Sequence, residues 1–147
     1  MVRLQFVMVA VIVPTFATIA AAQGHNEIQP HAKLWAAMTV QQPVIPKNRI
    51  NDLTLTFAVV NDGDSTVNPG VVSSHLFING VELKEWTWVT TNGPKTSFNT
   101  ALPPKRTLLF GCGCGQYFSK PGVYTLRWQG ENFRAPDLTF RVLSGDL

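Results

Sequence analysis

Charge is scarce in this chain. Nine acidic and twelve basic residues are spread over 147 positions, for a formal net charge of +3. The basic residues are scattered, and only Lys105 and Arg106 are adjacent. Nucleic-acid binding needs a Lys/Arg stripe, which is missing, so nucleic acid is excluded as a partner. There is no acidic tail and no low-complexity tract. Catalytic signatures are missing too. No Gly-x-Ser-x-Gly elbow, His-Glu-x-x-His helix or phosphate loop occurs. The carboxylates Asp62, Asp64, Glu82, Glu85 and Glu131 fall at turns, and nothing marks two of them as a glycosidase pair. Cysteine is limited to Cys112 and Cys114, and histidine to His25, His31 and His75. These absences predict a protein that is not an enzyme and carries no cofactor.

What is present begins with an apolar run. Arg3 precedes Leu4–Ala22, which ends in small residues at Ala20 and Ala22. A positive charge, an apolar stretch and an Ala-x-Ala end describe a secretory signal peptide, residues 1–22, cleaved between Ala22 and Gln23. The alternative is an uncleaved anchor, since a spanning helix needs about 17–25 apolar residues. Gln5 and Pro14 interrupt the run and favour cleavage. Cleavage implies a secreted or periplasmic protein with no membrane span. No cysteine follows the run, which argues against a lipoprotein anchor.

Residues 23–32 are polar and aperiodic, and read as a flexible arm. From residue 33 to 147, strand signals alternate with turn signals. Lys33–Val40 reads as a strand or a short helix. Pro43 and Pro46 then mark an edge or loop. Leu53–Val60 is the clearest strand, with Leu53, Leu55, Phe57 and Val59 alternating with smaller or polar residues. Asn61–Ser65 is a turn. Val71–Ile78 is a strand, and Asn79–Gly80 predicts a two-residue type I′ hairpin into a returning strand, Val81–Val89. Arg106–Phe110, Val123–Gln129 and Asp137–Leu143 complete the set. Six or seven antiparallel strands with little helix bury such faces most simply as a two-sheet β-sandwich.

Two patterns carry a family resemblance. In Lys120–Leu126, Tyr124 opens a late strand after a Pro-Gly turn, with Leu126 two residues on. This is similar to the tyrosine corner of immunoglobulin domains, where Leu126 takes the place of the second cysteine. The stretch from Leu53 through Asn61–Ser65 to Ser73–Gly80 resembles bacterial adhesion-type immunoglobulin-like modules of the CARDB kind. The layout Gly93-Pro94, Leu102-Pro103-Pro104 and Lys120–Tyr124 is also similar to that of small exported bacterial proteins with no assigned activity. The resemblance spans about Leu53 to Leu143. It implies an all-β, immunoglobulin-like antiparallel sandwich and export. It carries over no functional residue.

Candidate site residues are few. Cys112 and Cys114 flank one glycine, and three readings stay open: small turn residues, free or bridged; a thiol-exchange site; or a copper or zinc site. Cleavage before Gln23 would place His25 third from a free amine, a four-nitrogen set suited to copper(II) or nickel(II). His75 is expected to be partly buried and hydrogen-bonded. Asp62 and Asp64 offer oxygens to calcium, although turn chemistry explains the same residues. Trp86 and Trp88 share one face of the expected strand Val81–Val89. Exposed, they form a binding platform for sugar rings or a protein. Turned inward, with Trp35 and Trp128, they are core, which is the favoured orientation because a sandwich core needs large residues. The sequence thus points to a non-catalytic exported module that binds a protein, cell-wall or saccharide partner, with Val81–Val89 the first candidate surface. The alternative is a small periplasmic metal-handling protein using Cys112 and Cys114.

Overall fold

The computed structural model describes residues 33–93 and 95–145. The candidate signal peptide, the arm and His25 lie outside the described residues. Among the described residues, eight strands form two sheets. The first sheet orders β1 (Leu34–Val40), β3 (Thr54–Asn61) and β6 (Arg106–Gly113) as β1-β3-β6, antiparallel throughout. The second adds β2 (Val44–Pro46), β4 (His75–Ile78), β5 (Val81–Glu82), β7 (Gly122–Gln129) and β8 (Leu138–Leu143), in the order β2-β8-β7-β4-β5. Strands β1-β3-β6 against β8-β7-β4 reproduce the A-B-E and G-F-C layers of an immunoglobulin sandwich. The fold is therefore an all-β immunoglobulin-like sandwich.

The expected first strand forms as β1, whereas several later elements differ from the sequence expectation. The Pro43–Pro46 segment becomes a short edge strand, and it runs parallel to β8, so the second sheet is mixed rather than purely antiparallel. Val71–Ser74 is a turn and not part of β4: the Ser74 N–H donates to the Val71 carbonyl at 3.1 Å. The Asn79–Gly80 hairpin forms as expected, with φ of 49° and 82°, the positive pair a type I′ turn requires. Its return strand β5 is only two residues long, and Trp86–Asn92 is an α-helix, α1.

The reason lies in the core. Trp86 and Val89, three apart, are buried together on one face of α1, while Trp88 points out. A strand would have turned Trp86 and Trp88 the same way, along with Glu82 and Lys84. Folding as a helix separates the tryptophans and sends one of them inward.

Trp86 and Trp128 both enter the space between the sheets and pack on Phe57, with ring centroids 4.9 and 5.0 Å away. Phe110 stacks on the same ring at 5.2 Å. Both indole N–H groups donate to the Ser74 hydroxyl at 3.0 Å, and that hydroxyl donates to the Val71 carbonyl at 2.6 Å. A serine hydroxyl has one proton and two lone pairs. All three are used, and Ser74 is 1% exposed.

Removing that hydroxyl strands two buried donors, each worth about 1–3 kcal/mol unpaired. Ser74→Ala is expected to lower unfolding free energy by about 2–4 kcal/mol in urea titration. Trp86→Phe in the Ser74→Ala background should cost less than the two changes summed, because the phenyl ring leaves no donor to strand.

Candidate functional site

The late half of the first sheet carries the cysteines. On β6, Leu108, Phe110 and Cys112 face the core, and Cys112 pairs with Leu55 of β3. Cys114 lies just beyond the strand. A disulfide joins Cys112 to Cys114, with Cα atoms 5.5 Å apart, inside the range such a bridge spans. Both residues are buried. The bridge occupies both sulfurs, so neither stands as a free thiolate for a metal, and of the readings the spacing left open the structure carries the bridged one.

The bridge sits at a corner. A single 3₁₀ turn, Gly115–Phe118, follows it and packs on a second 3₁₀ turn, Lys47–Asp52. Gly115 meets the Ile50 main chain directly, so that a Cβ there would sit 2.0 Å from the Ile50 carbonyl oxygen. Phe118 then fills the core against Tyr124 and Phe140, at centroid distances of 5.1 and 5.0 Å.

The tyrosine corner is present. The Tyr124 hydroxyl donates to the Lys120 carbonyl at 2.7 Å across the Pro121-Gly122 turn. Leu126, two residues on, is fully buried where an immunoglobulin domain would place its second cysteine.

The acidic turn after β3 is closed by a lysine. Asn61 accepts from the Gly63 N–H at 3.0 Å and donates to the carbonyls of Ser65 and Leu102. The Lys105 ammonium lies 2.6 Å from the Asp62 carbonyl and 3.2 Å from its carboxylate, with Asp64 at 3.7 Å. The oxygens that could invite calcium thus converge on an internal cation. Lys105 adopts a φ of 57° to reach them. Sequence reasoning missed this lysine, which lies 43 residues downstream of Asp62.

The His75 Nδ1–H donates to the Glu82 carboxylate across the β4–β5 ladder at 2.5 Å. His75 is more than half exposed, not partly buried as the sequence suggested, because the outer face of the second sheet meets solvent. Among the described residues, no three His, Cys, Asp or Glu side chains converge as a metal site would require. No helix of the described residues is long and apolar enough to cross a membrane.

The tryptophan platform is not formed. Trp86 is 1% exposed and serves the core, whereas Trp88 is 58% exposed on the far side of α1. Trp35 on β1 is also 58% exposed, and Trp128 is buried. The favoured all-inward orientation therefore holds for two of the four tryptophans.

No family model matches the sequence, and no curated protein matches it. Among solved structures, the chain is similar to the CARDB domain of the PF1109 protein from Pyrococcus furiosus, crystallised in complex with di-metal ions. The identity is 18%, the match covers 77% of this chain and 94% of that one, and the TM-score is 0.47. The fold assignment rests on the strand order and register of this chain.

Three outcomes test the corner. Unreduced intact mass should fall short of the reduced chain by two hydrogens, with no uptake of an alkylating reagent. Cys112→Ala/Cys114→Ala should then lower stability by about 2 kcal/mol, the small loop-closure term of so short a ring. Gly115→Ala should cost about 1–3 kcal/mol by overpacking against Ile50, read as a lowered Tm.

Proposed function

We propose that this chain is an exported, non-catalytic immunoglobulin-like module that binds a protein or saccharide of the cell envelope through the exposed face of α1. The observation that carries this reading is Trp88. A large aromatic side chain held 58% exposed on a helix whose neighbouring Trp86 is locked in the core is a rigid, preorganised contact. Aromatics dominate the energetics of such contacts, and little side-chain entropy is lost when the backbone beneath is fixed.

A non-catalytic role is supported by how the reactive groups are used. Ser74 spends its hydroxyl on a carbonyl and two indoles, the cysteines are bonded to each other, and His75 is held by Glu82. Among the described residues, no serine, threonine or cysteine side chain is hydrogen-bonded to a histidine or a carboxylate. Export is supported by the signal-peptide pattern of residues 1–22 and by the disulfide, which forms and persists in oxidising compartments.

The test is co-sedimentation of the exported protein with insoluble cell-wall material and with envelope extracts. Trp88→Ala should weaken capture about tenfold or more while leaving Tm nearly unchanged, as expected for a surface anchor residue. Capture unaffected by Trp88→Ala would remove α1 as the contact surface.

A further inference from the structure

The two outer faces of the sandwich differ in kind. The face of the second sheet carries His75, Glu82, Arg127, Asp137 and Arg141. The strands of the first sheet turn out Trp35, Ala37 and Thr39, then Thr54, Thr56, Ala58 and Val60, then Thr107 and Leu109. None of these is charged.

This uncharged face ends at β1, an edge strand. Exposed edges are normally blunted by charge, proline, a bulge or shortness. The other edges follow that rule: β2 ends at Pro46, β5 is two residues long and carries Glu82, and β6 begins at Arg106 and runs into the cysteine bridge. β1 has none of these devices. Its seven residues, LWAAMTV, pair with β3 in an unbroken register from Leu34↔Asn61 to Val40↔Leu55.

The direction of its free groups follows from the ladder. The Asp62 N–H donates to the Lys33 carbonyl, so Lys33 is a hydrogen-bonded position toward β3. Alternation then directs the main chain of Trp35, Ala37 and Thr39 at β3, and that of Leu34, Ala36, Met38 and Val40 outward. No main-chain group of another described segment bonds to that outward edge.

We propose that β1 pairs antiparallel with β1 of a second copy, about a two-fold axis through Ala37, joining the two three-stranded sheets into one. This register places every outward-directed residue opposite another: Leu34 with the second copy's Val40, and Ala36 with its Met38. Trp35 meets Thr39, an aromatic–β-branched pair of the kind that stabilises neighbouring strands. Ala37 meets itself, leaving room for the two flanking indoles. Lys33 meets Gln41, so no like charges oppose each other. Shifting the register by two residues leaves part of the seven-residue strand unpaired.

The test is sedimentation of the full exported protein over a concentration series, with two side-chain substitutions on the exposed face of β1. Wild type should show a monomer–dimer equilibrium. Ala37→Lys, which sets two ammonium groups across the axis without touching the β3 ladder, should raise the dimer Kd about tenfold or more. Ala36→Pro removes only an outward N–H and should act in the same direction. Circular dichroism confirms that both variants fold.

Register is read by oxidation on a non-reducing gel. Opposed residues at such a position have Cα atoms about 4.5 Å apart, so Ala37→Cys should cross-link. Thr39→Cys should not, because its copies lie about 14 Å apart along the strand. A monomer at every concentration overturns the proposal. So does a dimer indifferent to Ala37→Lys, equal cross-linking through both positions, or a foreign chain found on the edge in place of the second copy.

Discussion

Two indoles arriving from different elements share one hydroxyl at the centre of this molecule. Ser74 holds the N–H of Trp86 from α1 and that of Trp128 from β7, and passes its own proton to Val71. Tryptophan gives the largest apolar burial of any residue, but only if its N–H finds a partner. Here that condition couples the turn before β4, the helix after β5 and a central strand. Phe57 of the opposite sheet closes over both indoles, so the polar hub and the inter-sheet packing fix the same geometry. The short β5, the early start of α1 and the late start of β4 all follow from it.

Much of the architecture was legible because it depends on local chemistry. Alternation identified β3, β7 and β8, positive-φ residues identified the hairpin at Asn79–Gly80, and the Pro-Gly turn before Tyr124 located the corner. What was not legible depended on partners far away in sequence. Trp86 folds into a helix because Ser74 and Phe57 await it, and the Val81–Val89 stretch alternates well enough to pass for a strand. Its one local warning was that Glu82 and Lys84 would share a face with the tryptophans. The parallel pairing of β2 with β8 was equally hidden, since a three-residue strand that itself ends in proline carries no record of its partner.

The candidate site was read less fully than the fold. The cysteine pair was located, and its bridged state is one of the readings that spacing left open. The role of Lys105 was out of reach, because only the folded chain brings it back to the turn at Asp62. Of the two tryptophans proposed for contact, one is core and one is surface, a division that periodicity alone could not make. Trp35, expected in the core, lies on the uncharged face of the first sheet.

The parallel pairing of β2 and β8 has a mechanical consequence. β2 lies near the start of the domain and β8 at its end, and the two run side by side in the same direction from Val44↔Arg141 to Pro46↔Leu143. Tension applied through the two ends of such a domain slides these strands past each other lengthwise. Their hydrogen bonds are then loaded together in shear, rather than peeled apart one at a time. A module tethered at one end and gripped at the other would resist pulling at this seam.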